Sequence, residues 1–265
     1  MNADDGLEAR IAAWAREGGR LALRWWRGGD ALTFKDGREA VTAADPAVER
    51  LLRARIGAAF PGDTIVGEEL GGQAPESGRT WHLDPIDGTL NFALGLPGFC
   101  VSLALLQDGE PIAACIHVPV GDDTYTAVAG GGARLNGRPL QVSGRSRLAD
   151  AVVSAQLKKD GRLAREPERL QALLVQTMKL RKVGAIALEL AYVAAGAYDA
   201  LVAGNPGGIP TYDVAAGLLL VREAGGRVSG SDGAPYRNGG ADLVASNGLV
   251  HDELCRLLDG PRPTV

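Results

Sequence analysis

Asp84 and Asp87 lie three positions apart in the stretch Trp81-His82-Leu83-Asp84-Pro85-Ile86-Asp87-Gly88-Thr89-Leu90-Asn91-Phe92. Apolar residues lead into the two acids. The pattern predicts a strand ending at Asp84, where Pro85, with no N–H to donate, stops the ladder. From either side of the following turn the two carboxylates can face one pocket. Several carboxylate oxygens, with space left for water and a phosphate, suit a hard divalent cation. Gly88 and Thr89, if they open a helix, offer unpaired backbone N–H groups to an anion beside it. An isolated DxxD reads equally well as a solvated turn. The Pro-Ile between the acids and the Gly-Thr-x-Asn-Phe after them set this one apart.

Other acids fall where they can join this pair. Asp63-Thr64-Ile65-Val66 reads as a short strand running into Gly67-Glu68-Glu69, so two strand ends, each carrying acids, converge. Farther on, Tyr212-Asp213-Val214-Ala215-Ala216-Gly217 follows Ile209-Pro210-Thr211, and Asp213 stands where a helix begins. Alone, Asp213 reads as an N-cap. Its other oxygen can still bind a cation, and the alanines and glycine after it let the helix pack closely. Carboxylates without soft ligands favour Mg²⁺, with Mn²⁺ as a substitute, over zinc. Cys100, Cys115 and Cys255 are odd in number and widely spaced, unlike a disulfide framework or a zinc site, and are expected to be buried thiols. His82, His117 and His251 share no ligand spacing. His82 is expected to alternate outward on its strand, without a catalytic role.

The elements that must hold these acids are legible from periodicity. Leu7, Ile11, Trp14, Leu21 and Trp25 predict an amphipathic helix over roughly residues 5 to 27. Residues 31 to 41 suit a β-hairpin or loop. Asp45 and Pro46 read as cap and first residue of a second helix, with Val48, Leu51, Leu52 and Ile56 on its buried stripe. From Phe99 to Val142, apolar runs broken by Asp108-Gly109 and Asn136-Gly137 predict an antiparallel meander. Beyond about residue 145, strands near 152–155, 180–183, 198–202, 226–228 and 243–245 alternate with helices near 167–178, 186–195, 214–224 and 251–258. This organisation gives an N-terminal lobe, 1–145, with most of the acids, and a C-terminal α/β lobe, 146–265, that supplies Asp213 and substrate selection. A cleft between lobes is a natural ligand site.

With 265 residues, 46% of them hydrophobic and 23% charged, the chain can bury a sizeable core. Its net charge of −4 gives no general electrostatic reason to bind nucleic acid or an anionic membrane. The opening residues MNADDGLEAR lack the apolar run of a signal peptide, and no stretch has the length of a spanning helix, so a cytoplasmic protein is expected.

Three separated blocks resemble the inositol monophosphatase family of metal-dependent, lithium-sensitive phosphatases. They are Gly67-Glu68-Glu69, Trp81 to Phe92, and Tyr212 to Gly217 running on to Glu223-Ala224-Gly225-Gly226. Val41-Thr42-Ala43-Ala44-Asp45 is a weaker fourth. The resemblance implies a layered α/β/α/β/α sandwich of two tightly joined lobes, a homodimer, and Mg²⁺ dependence. Carried over by position, it makes Glu68, Asp84, Asp87 and Asp213 metal-binding side chains, together with the Ile86 carbonyl. Glu68 and Asp84 would hold a first ion and Asp84, Asp87 and Asp213 a second, with Glu69 beside them. Thr89 and Asp45 match the pair that orients and deprotonates the attacking water, and Gly88 and Thr89 would hold the phosphate.

The match loosens in the second lobe. Gly184, Ala185 and Ile186 correspond to the segment whose backbone meets the substrate, but Ala185 stands where Ser or Thr is common. Family members that act on inositol phosphates usually carry a Glu shortly after the strand at 198–202. This chain has Ala203 or Gly204 there, so buried hydroxyls of a sugar-like substrate lose an acceptor. The expected activity is hydrolysis of a small phosphorylated alcohol. Nucleotide 3′-phosphates, sugar phosphates and histidinol phosphate are open alternatives, as is a partner-binding regulatory protein with an idle site.

Overall fold

The structure, a computed structural model, describes residues 3–28, 33–35, 39–157 and 166–259. Two sheets are interleaved with helices. The larger, seven-stranded sheet runs β3 (Thr64–Gly67), β4 (Arg79–Asp87), β5 (Cys100–Gln107), β6 (Glu110–Val118), β7 (Asp123–Val128), β8 (Gly132–Leu135) and β9 (Arg138–Pro139), in that order. β3 and β4 pair in parallel, and every later neighbour is antiparallel. The meander follows from its turns: Asp108-Gly109 and Asn136-Gly137 all adopt positive φ, which suits tight hairpins. The second sheet has the order β11 (Lys179–Arg181), β10 (Val152–Leu157), β12 (Ala200–Gly204), β14 (Asp242–Ser246) and β13 (Arg227–Ser229). Here β10 is parallel to β11 and β12, while β14 runs antiparallel to β12 and β13. β1 (Thr33–Lys35) and β2 (Glu39–Val41) pair antiparallel as a separate two-stranded sheet, and Ala40 of β2 reaches the cavity described below. The rest of the predicted 31–41 element lies outside the described residues.

Three apolar clusters define five layers. Helices α1 (Ala3–Ala22) and α2 (Ala44–Ala59) bury Ile11, Trp14, Val48, Leu52 and Ile56 against Trp81, Leu83, Val101 and Leu103 on one face of the large sheet. Helices α5 (Ile186–Ala194) and α6 (Thr211–Glu223) fill the space between the sheets, touching Ala104 and Ile116 on one side and Leu201 and Ala245 on the other. Beneath the small sheet, α4 (Glu166–Gln176) and α7 (His251–Asp259) contribute Leu173, Leu254 and Leu258. Because α5 and α6 are covered on both sides, their sequences are apolar nearly all round. At Gly217, α6 closes onto Leu190 of α5, where a Cβ would collide.

Four local expectations are corrected. β4 does not stop at Asp84. It continues to Asp87 with a register irregularity, three steps along β4 facing two along β5 between the pairs Asp84–Ser102 and Asp87–Cys100. A bulge absorbs the proline without ending the strand. Asp45 is not a cap, since α2 begins at Ala44 and its Ala43 N-cap makes no side-chain bond. Asp213 likewise lies inside the first turn of α6, behind Pro210. His82 is buried, not outward-facing: both faces of the large sheet are covered, and burial lowers its pKa to about 4. All three cysteines are free and buried.

Candidate active site

A cavity of about 220 Å³ opens where the ends of β3 and β4 meet α5, β12 and α6. Glu68, Asp84, Ile86, Asp87, Gly88, Thr89, Gly184, Ile186 and Asp213 all line it, so sequence positions some 145 apart share one wall. Ala185 and Asp45 sit behind that wall, both buried.

Asp84 is 2% exposed, and its Oδ1 accepts the Ile86 N–H at 3.0 Å across the bulge. Burial and the negative charges of Glu68, Asp87 and Asp213 hold its carboxyl well above the usual carboxylate range, and a side-chain hydrogen bond links it to Glu68. Asp87 occupies a different kind of place. Its Oδ1 accepts from Ile186 N at 3.1 Å, and its Oδ2 from Ala187 N at 2.7 Å and Leu188 N at 3.2 Å. The buried thiol of Cys100 approaches Oδ2 at 3.5 Å. Ala185, the N-cap of α5, supplies no side-chain bond, so Asp87 caps that helix from the other sheet. Burial nevertheless pushes Asp87 up to about 7, against the lowering effect of those N–H groups.

Thr89 begins the short helix α3 (Thr89–Ala93). Its Oγ1 stands 2.9 Å from the Ile86 carbonyl and 3.1 Å from Asp45 Oδ1. The other oxygen of Asp45 accepts the Thr42 N–H at 2.9 Å and the Thr42 hydroxyl at 2.6 Å. Burial raises the Asp45 pKa despite these bonds. Gly88, ahead of α3, has φ 91°, and a Cβ on it would lie 2.7 Å from the Gly98 carbonyl. A left-handed backbone and a close approach both require glycine there.

Two supporting residues escaped the sequence reading. Glu49, 0% exposed on α2, accepts the Glu69 N–H at 2.7 Å and the Leu70 N–H at 3.3 Å while pairing with Arg53 at 2.7 Å. It pins the turn that carries Glu68, and Gly67 is needed because a Cβ would strike the Glu49 carboxylate. The signal available was its place beside Val48 on the buried stripe. Asn91 donates to the carbonyls of Gly98 at 2.7 Å and Val183 at 2.9 Å, tying α3 to the segment before α5. No local pattern reveals that bond, because Val183 lies 92 residues away.

The donor set fits a hard divalent cation in kind, with buried carboxylates and a carbonyl and no sulfur or imidazole. The mutual repulsion around Asp84 is what such a cation would relieve. The arrangement is open: among the described residues, no three acidic, histidine or cysteine side chains form a group set to hold a metal ion.

The chain matches the inositol monophosphatase family over residues 8–260. It belongs to that family of metal-dependent phosphatases. An inositol-1-monophosphatase of Mesorhizobium japonicum is 36% identical over 87% of this chain and 86% of that one. A histidinol-phosphatase of Mycobacterium tuberculosis is 38% identical, covering 83% of this chain and 84% of its own. The crystal structure of extragenic suppressor protein suhB from Bartonella henselae superposes with a TM-score of 0.91 at 31% identity, over 97% of this chain and all of that one. The layered α/β architecture is thus the family's, and the activity is hydrolysis of a phosphorylated substrate. Among the described residues no helix is long and apolar enough to cross a membrane.

Proposed function

We propose that this chain is a Mg²⁺-dependent phosphate monoester hydrolase for a small phosphorylated alcohol. The observation that carries the proposal is Asp84, buried among the charges of Glu68, Asp87 and Asp213 in the wall of one cavity. Glu68, Asp84, Asp87, Asp213 and the Ile86 carbonyl would hold the ions, with Glu69 supporting them. When bound, such ions supply neutralisation of the phosphate dianion, a lower pKa for the attacking water, and stabilisation of the leaving alkoxide.

The chain's own groups do the rest. The Thr89 hydroxyl donates to Asp45 Oδ1 and leaves its lone pairs for a water proton. Asp45, raised by burial, is a ready proton acceptor at the end of that relay. The Gly88 and Thr89 backbone N–H groups face the phosphate, and Gly184 and Ile186 meet the leaving group, with Ala185 buried behind them. The second lobe, 146–265, selects the substrate and the first, 1–145, supplies most of the acids. We place the protein in the cytoplasm as a lithium-sensitive homodimer, with Mn²⁺ able to replace Mg²⁺.

A panel of phosphate monoesters, ranked by kcat/KM with and without Mg²⁺ and Li⁺, tests the reading. Release that requires Mg²⁺ and is inhibited by Li⁺ supports it. No release from any ester, together with stoichiometric binding of a protein partner, would replace it with the partner-binding alternative.

A further inference from the structure

Apart from Asp213, the part of the cavity lining that lies beyond residue 146 is poor in polar side chains. Ile186, Ala203, Gly204, Ile209 and Pro210 form most of it, leaving Gln156 and Asn205 as its amide side chains. Asn205 is turned on its own loop, donating from Nδ2 to the Gly208 carbonyl at 2.6 Å and accepting the Gly207 N–H at 3.3 Å. Gln156, near the end of β10, is held differently: its Nε2 donates to Oε2 of Glu189 on α5. Glu189 is 0% exposed, and its Oε1 accepts the Val183 N–H at 2.6 Å. The residues just before α5 and the floor of the cavity therefore meet at one buried carboxylate.

Both Glu189 oxygens accept, one from the Val183 N–H and one from Gln156 Nε2, so the Gln156 amide meets Glu189 with its nitrogen. We propose that this fixes the Gln156 carbonyl oxygen toward the cavity as the acceptor for a donor group, hydroxyl or ammonium, on the leaving alcohol. Gln156 is then a specificity-determining residue, and Glu189 a positioning residue acting through it. The assignment rests on the phosphatase reading above. It gives the cavity an acceptor on the wall where Ala203 and Gly204 offer no side-chain acceptor. A buried acceptor with a fixed orientation discriminates strongly against substrates that cannot satisfy it.

Three esters of matched length test this: propyl phosphate, glycerol 1-phosphate and 3-aminopropyl phosphate. The wild-type enzyme should prefer one or both donor-bearing esters over propyl phosphate, and the preferred one identifies the donor. In Gln156→Leu that preference, read as a ratio of kcat/KM values within the variant, should fall about tenfold, the loss expected for one hydrogen bond. In Glu189→Gln, whose amide can either donate or accept, it should fall about twofold as Gln156 divides between two orientations. Gln156→Met repeats the measurement with an unbranched side chain if the leucine variant does not fold. An unchanged ratio in the Gln156 variants, or an equal loss on all three esters, overturns the inference and leaves the phosphatase reading intact. No Mg²⁺-dependent release from any of the three by the wild-type enzyme overturns that reading, and this inference with it.

Discussion

The two walls of the cavity are built on opposite principles. On the side of β3, β4 and α3, charged groups are buried deep and each is tied to backbone: Asp84 to Ile86, Asp87 to the start of α5, Asp45 to Thr42, Glu49 to Glu69 and Leu70. On the side of β10, β12 and the loop after it, methyl groups, glycine backbone and two amides face the same space. The first wall resists change because moving any carboxylate breaks a bond the fold also uses. The second is held by fewer such bonds and can vary in shape at smaller cost to the fold.

Breaking the acidic wall should have the largest effect. Asp87→Asn is expected to abolish turnover, lowering kcat about a thousandfold or more, comparable to losing a preorganised electrostatic contact. An oxygen remains to cap α5, so circular dichroism should report a folded protein. Near-normal kcat in a folded, Mg²⁺-saturated variant would remove Asp87 from the chemistry.

Glu49→Ala probes whether support for that wall matters as much as its surface. It leaves two N–H groups and the Arg53 guanidinium without their buried partner, at a cost of about 3 kcal/mol in urea unfolding. A loss below about 0.5 kcal/mol would show that the Glu68 turn stands without it.

A third measurement separates the walls by pH. Asp87 titrates near 7 in the cation-free fold, above its ordinary value, so folding takes up protons and stability falls as pH rises from the carboxylate range through about 7. A cation bound by the ionised acids reverses this loss. A fixed Mg²⁺ concentration, a hundredfold over Kd at pH 8, should therefore raise Tm more at pH 8 than at pH 5, adding about 2.7 kcal/mol of stability at pH 8. A gain that is equal at both pH values would mean that the cation binds elsewhere.

The smallest effect is expected on the selecting wall. Asn205→Ala frees the loop that now closes on Gly208, and should shift KM for the best ester about fivefold while kcat holds within about twofold. A drop in kcat as large as that of Asp87→Asn would erase the distinction between the walls.

Much of the acidic wall was legible because it is written locally. Asp84, Ile86, Asp87, Gly88 and Thr89 lie within six consecutive residues, and Glu68 and Asp213 each sit in a recognisable strand-end or helix-start context. The layers were legible too, since α1 and α2 carry one apolar stripe while α5 and α6 are apolar all round. What was hidden depends on contacts between distant segments. The bulge at Pro85 is set by pairing with β5, and the part Asp87 plays for α5 depends on a helix in the other half of the chain. Gln156 looks like an ordinary strand residue until Glu189 is seen to hold it. Asp45 and Asp213 were read as caps, whereas the caps are Ala43 and Pro210, two and three residues earlier, because a nearby proline mimics a helix start.

Asp87 finds its helix partners 99, 100 and 101 residues farther along the polypeptide. During synthesis, the amino-terminal half therefore leaves the ribosome before the N–H groups that Asp87 accepts from have been made. Only when α6 has emerged, bringing Asp213, can the pocket assemble. Closure of the pocket is thus a late event in the life of the chain, with only β13, β14 and α7 still to follow.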